Sequence, residues 1–255
     1  MEMVKKIVEF YLLSLGLGVG IFSPLASSKL TGHGFLKVIH SICLVALFIA
    51  LAVHFSRVGL FVIPNYIYAM GLFSFALVIS LHRDQKSFFM WLLYIFQNVS
   101  LIYLLFLFVD KNISQFFFYL SSSLFLGVVT YAMILGHWYL VVFKLTEKPL
   151  LYATYFLWGI LAFKILWSFI ILIKQWDYFS IPDNFTGDFS FIWMVICMRF
   201  VWGYFIMGIM SYYSWRLIKM RSIQSATGVL YVMTFFVFVG ELISNFLQYK
   251  YGIMV

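Results

Sequence analysis

Hydrophobic and polar positions alternate along the chain as long apolar stretches, each closed by glycine, proline or charge. Eight stretches fall at about 7–28, 36–56, 60–81, 88–109, 115–143, 150–173, 189–215 and 224–247. A helix rises about 1.5 Å per residue and needs roughly 20 apolar residues to cross a hydrocarbon core of about 30 Å, so each stretch is long enough to span a bilayer. The pattern predicts an all-α fold, a polytopic transmembrane helical bundle of about eight spans forming one integral membrane domain over residues 1–255. Connections are short, and the longest, Lys174 to Asp188, is the only extended polar segment.

Composition agrees. Hydrophobic residues make up 64% of the chain and charged residues 10%, against about 25% charged in a soluble domain, which excludes a water-soluble fold. The first stretch, with Lys5 and Lys6 ahead of it and Leu25-Ala26-Ser27-Ser28 behind it, has the outline of a cleaved signal. Its length and its likeness to the stretches that follow favour a retained span. A net charge of +8 would suggest nucleic acid in a soluble protein. Here the basic residues sit at the ends of apolar runs, where they flank a membrane, so the expected partner is the lipid bilayer and not nucleic acid. Cys43 and Cys197, both inside apolar runs and outside any Cys/His motif, read as small hydrophobes.

With eight spans both termini lie on one side, side A. Side A carries Lys5, Lys6, Arg57, Lys111, Lys174 and Lys250. Side B carries Lys29, Lys37, Arg83, Lys86, Lys144, Lys148, Arg216, Lys219 and Arg221. Basic residues concentrate on the cytoplasmic side, so the bias places side B in the cytoplasm and the termini outside, although the Lys5-Lys6 pair pulls the other way. The expected location is a bacterial-type inner membrane, crossed several times.

Two polar groupings stand out by depth, because residues on different spans meet only at similar heights. Near side B, His40 and His137 lie roughly 6 and 10 Å below the surface by helical rise, with His33 and His82 in the adjoining connections. Facing imidazoles at matched depth are what a b-type haem requires. His40 and His54, 14 residues apart, share a helix face in the manner of di-haem cytochromes, but His54 has no second histidine at its own depth. The plainer alternative, preferred on sequence, is that His137 hydrogen-bonds a neighbouring helix or joins Trp138 and Tyr139 in the interfacial belt.

The second grouping is ionic. Lys164, Arg199 and Glu241 sit about 15, 15 and 10 Å from side A, with Gln97 and Asn98 at comparable depth. A charge at the bilayer centre costs about 2.5–3.5 kcal/mol on insertion scales, so these residues should face inward and pair. Two bases and one acid leave a positive charge over, able to receive an anion or a quinone carbonyl. The competing explanation is a structural ion pair with Lys164 reaching toward the interface.

Glycines in spans 1 and 7 (Gly16, Gly18, Gly20, Gly203, Gly208) suit close helix packing. Ser222 is placed to cap the last helix, whose N-terminus, with Arg216, Lys219 and Arg221, could hold an anion; capping explains the same residues more simply. No phosphate-binding loop, nucleophile elbow, zinc-protease motif or paired intramembrane carboxylates occur, so no catalytic residue or metal site is expected and the reaction, if there is one, is not named.

The functional expectation is a membrane redox subunit. It would bind quinone near Lys164, Arg199, Glu241 and Gln97, leave room for one haem b between His40 and His137, and work beside other membrane or peripheral redox subunits. The alternatives are a transporter or channel for a small anion or protonatable solute, and a non-catalytic accessory or scaffold protein.

Overall fold

The structure, a computed structural model, describes residues 2–26, 28–31, 33–59, 61–81, 87–142, 145–175 and 187–255. It is helical throughout, with no strand among the described residues. Besides a short 3-10 turn (Ser23–Leu25) and a four-residue helix (Ser28–Thr31), the helices are α1 (Glu2–Phe22), α2 (His33–Val58), α3 (Ile63–Leu81), α4 (Phe88–Phe108), α5 (Ile113–Val141), α6 (Lys148–Lys174), α7 (Gly187–Met198), α8 (Ile206–Lys219) and α9 (Ile223–Tyr251). A π-helical segment, Arg199–Phe205, joins α7 to α8 without a break, so the two act as one span. Eight helices are long and apolar enough to cross a membrane, as the polarity pattern predicts. The chain is an integral membrane protein with side chains such as Phe48, Phe73, Leu166 and Phe235 exposed on its outer surface. In water such exposure would be costly, whereas against lipid it is the expected state.

Helices α1 and α5 are the most enclosed spans. Helix α1 packs against α2 and α4 on one side and α5 on the other, and α5 in turn contacts α6 and α9. The α1–α5 seam is set by small residues. A Cβ added to Gly18 would lie 2.7 Å from the Cα of Gly127, so the two backbones touch as only glycine permits, and Ser14 and Ser123 join their hydroxyls across the same seam at 2.8 Å. Lipid gives no hydrophobic drive for helix association, so close backbone approach and interhelical hydrogen bonds supply it.

Helix ends follow local chemistry. Asn112 caps α5 by accepting from the Gln115 amide at 3.2 Å. Ser222 holds the capping position of α9, but its hydroxyl bonds the Ser225 hydroxyl and not a backbone amide, so the expected capping bond is not made. Helix α1 starts at Glu2, five residues earlier than the polarity pattern placed its span. That extension carries Glu9 a full two turns into the helix.

Candidate functional site

Lys164, Arg199 and Glu241 come together. Helix α6 presents Lys164, the start of the π segment presents Arg199, and α9 presents Glu241; all three are at least 97% buried. The Lys164 ammonium donates to Glu241 Oε2 at 3.1 Å and to the Ser122 hydroxyl of α5 at 2.7 Å. Arg199 Nη2 donates to Glu241 Oε1 at 2.9 Å and to the Tyr204 hydroxyl at 3.1 Å. One carboxylate therefore links two cations from two other spans, and Lys164 is held in the interior rather than stretched toward the interface. Removing one partner of such a cluster costs far more than its pairing contributes, because the remaining charge is left buried.

The π segment makes room for Arg199. Its guanidinium lies over the Tyr204 ring, 4.4 Å from the centroid. A Cβ added to Gly203 would stand 2.6 Å from Nη1, and one added to Gly240 would stand 3.0 Å from the same atom. Two glycines on facing helices thus form the slot that the guanidinium fills. On an α-helix a residue five positions on is carried roughly 140° round the axis. The wider i→i+5 turn of a π-helix brings Tyr204 back under Arg199, and such turns are often found at functional sites. Arg199 Nε and Nη1 are buried and have no hydrogen-bond acceptor among the described residues.

Tyr204, itself buried, lies between the cluster and an outer groove. Its hydroxyl pairs with the Ser168 hydroxyl at 2.6 Å while accepting from Arg199. The same residue lines a cavity of about 520 Å³ between α6 and the π segment, with Leu161, Ile165, Phe200, Phe205 and Gly208 as its other walls. That groove is almost wholly apolar, and Tyr204 belongs both to it and to the ionic cluster.

Gln97 does not join this cluster. It is fully buried on α4 against the backbone of α1: a Cβ at Gly20 would be 3.1 Å from Gln97 Nε2 and 3.3 Å from Asn98 Oδ1. Similar depth along the helices does not fix which face of the bundle a residue shares.

The histidine pair is not assembled as haem ligands either. His40 is buried with Nδ1 2.6 Å from the Leu36 carbonyl and Nε2 3.4 Å from the Ser23 hydroxyl, and its ring packs beside Phe75 and Tyr94. Both nitrogens face protein, which leaves no ring nitrogen directed at an iron. His137 is exposed and pairs through Nδ1 with Tyr231 of α9 at 2.8 Å, which is the helix-bridging role preferred on sequence. The His33 side chain and the whole of His82 lie outside the described residues, as does most of the Lys174–Asp188 connection. Among the described residues no group of three or more His, Cys, Asp or Glu is placed to hold a metal ion, and Cys43 and Cys197 are free thiols.

A second ionic centre escaped the sequence reading. Glu9 of α1, 99% buried, accepts from Arg57 Nη2 at 2.9 Å and Nε at 3.0 Å, from His54 Nδ1 at 2.7 Å and from the Tyr68 hydroxyl at 3.2 Å. The signal was present: His54 and Arg57 stand three apart on one helix face, and Glu9 lies at the same side-A depth. Depth alone does not connect them, because it does not say which faces of α1 and α2 meet.

The fold and the site define a multi-span helical membrane protein with a charged triad in its interior. Comparison with protein-family models, with curated proteins and with solved structures finds no match to this chain.

Proposed function

We propose that the protein is a membrane redox subunit that binds a quinone in the groove between α6 and the π segment. The observation that carries this reading is the double membership of Tyr204, which lines the groove and is tied to Arg199 and Ser168. A quinone needs an apolar slot for its ring and tail and a hydrogen-bond donor for its carbonyl. Because Tyr204 oxygen accepts from Arg199, and the Ser168 hydroxyl can donate to it as well as accept, the tyrosine proton is free to turn toward a carbonyl. Arg199 then stabilises negative charge that develops on the reduced ring through one intervening hydroxyl. Entry is lateral, from lipid, where quinones reside. The reading includes no haem between His40 and His137.

Binding of a short-chain quinone to protein in nanodiscs, followed by quenching of tryptophan fluorescence, tests this. Saturable quenching that weakens by about tenfold or more in Tyr204→Phe is expected, the cost of one lost buried hydrogen bond. Non-saturable quenching, or equal affinity in the variant, contradicts it.

The unpaired Nε and Nη1 of Arg199 favour a second reading, transport of a small anion. It predicts anion flux in proteoliposomes that is lost in Arg199→Ala and indifferent to quinone.

A further inference from the structure

The Glu9 centre borders a cavity of about 200 Å³ where four helix ends meet on side A. Its polar lining is Lys6, Glu9, His54, Arg57, Tyr68 and Asp110, and its apolar lining includes Leu104, Leu107 and Phe108. A cavity of about 150 Å³ admits a benzene ring, so this one is sized for a single substituted six-membered ring.

His54 gives the cavity its chemistry. Glu9 accepts from Arg57 and from the Tyr68 hydroxyl; a carboxylate held by these donors has no proton to give, so Nδ1 of His54, 2.7 Å from Oε1, is the donor of that pair. The other ring nitrogen, Nε2, is buried and has no hydrogen-bond partner among the described residues. In the neutral ring it is a lone-pair acceptor whose tautomer is fixed by the carboxylate behind it. A buried acceptor without a donor is costly, and nothing in the packing of α1, α2 or α3 supplies one.

We propose that this pocket binds a phenol-class ring, its hydroxyl donating to His54 Nε2 and its face lying against Leu104, Leu107 and Phe108. Lys6, Arg57, Glu9 and Asp110 give the lining two charges of each sign, a polar surrounding that favours a hydroxyl-bearing ring over a hydrocarbon. The site is separate from the groove at Tyr204 and stands whether or not that groove takes a quinone.

The test uses full-length protein, labelled with ¹⁵N-histidine, in nanodiscs, with the His54 resonances assigned through His54→Gln. Without ligand, His54 should show the Nδ1–H tautomer at neutral pH. Phenol should shift its Nε2 resonance saturably, whereas toluene at the same mole fraction in the membrane should bind about tenfold more weakly or not at all. Tyr204→Phe should leave this response unchanged. An Nε2–H tautomer, equal binding of phenol and toluene, stronger binding of benzoate than of phenol, or phenol binding that leaves Nε2 unmoved would each overturn the proposal.

Discussion

Replacing Glu241 with Gln removes the one negative charge from a centre that holds two cations. The ammonium of Lys164 at 3.1 Å and the guanidinium of Arg199 at 2.9 Å then face each other in the interior. At an effective dielectric of about 20, each lost contact is worth about 5–6 kcal/mol of Coulomb energy. Desolvation offsets part of this, and measured losses on breaking buried pairs run about 3–5 kcal/mol. At roughly 2–4 °C per kcal/mol for a chain near this size, the midpoint of thermal unfolding in detergent should fall by roughly 6–20 °C. A triple variant, Lys164→Met, Arg199→Met and Glu241→Gln, removes all three charges together, and buried ionic clusters replaced by apolar groups are often neutral in stability. It should recover most of the lost midpoint while failing to bind quinone. A Glu241→Gln midpoint within about 4 °C of wild type would refute the reasoning, because it would mean that the cations do not depend on the carboxylate.

Other outcomes follow from the same geometry. Gly203→Ala sets a methyl 2.6 Å from Arg199 Nη1 and should destabilise by about 1–3 kcal/mol, the usual cost of overpacking, visible in the same melting assay. Gly18→Ala pushes against the backbone of Gly127, which cannot swing aside, so the loss should equal or exceed that of Gly203→Ala. Arg221→Ala removes an exposed pair with Glu147 at 3.3 Å and should change stability by less than about 1 kcal/mol. The Glu147 carboxyl is held below its ordinary value chiefly by its own backbone N–H, with Arg221 assisting. The small contribution of that pair should therefore be full above the usual carboxylate range and fade as pH falls through the lowered value, which melting scans of wild type and Arg221→Ala against pH will show.

The spans and the charged triad were legible because both rest on strong, one-dimensional signals. Eight apolar runs leave a helical chain no other arrangement, and three charges at similar depth in lipid must pair. What depth could not convey was direction around the bundle. Gln97 faces Gly20 of α1 and not the triad, and His137 faces Tyr231 of α9 while His40 faces Ser23. Tyr204 was beyond reach for a different reason: five residues after Arg199, it meets that side chain only in a π turn, which no polarity pattern announces. Glu9 escaped because a lone carboxylate near the end of a span reads as solvated, while its partners His54, Arg57 and Tyr68 come from two other helices. The structure added Tyr204, which bonds Arg199 of the triad and also lines the groove beside α6.

Photolabelling with an azido-quinone in proteoliposomes tests the central claim most directly. The account predicts saturable labelling, competed by unmodified quinone, that maps to the peptide holding Phe200 to Ile209 or to its facing wall at Leu161 and Ile165. Labelling spread over all lipid-facing spans and indifferent to competitor would contradict it.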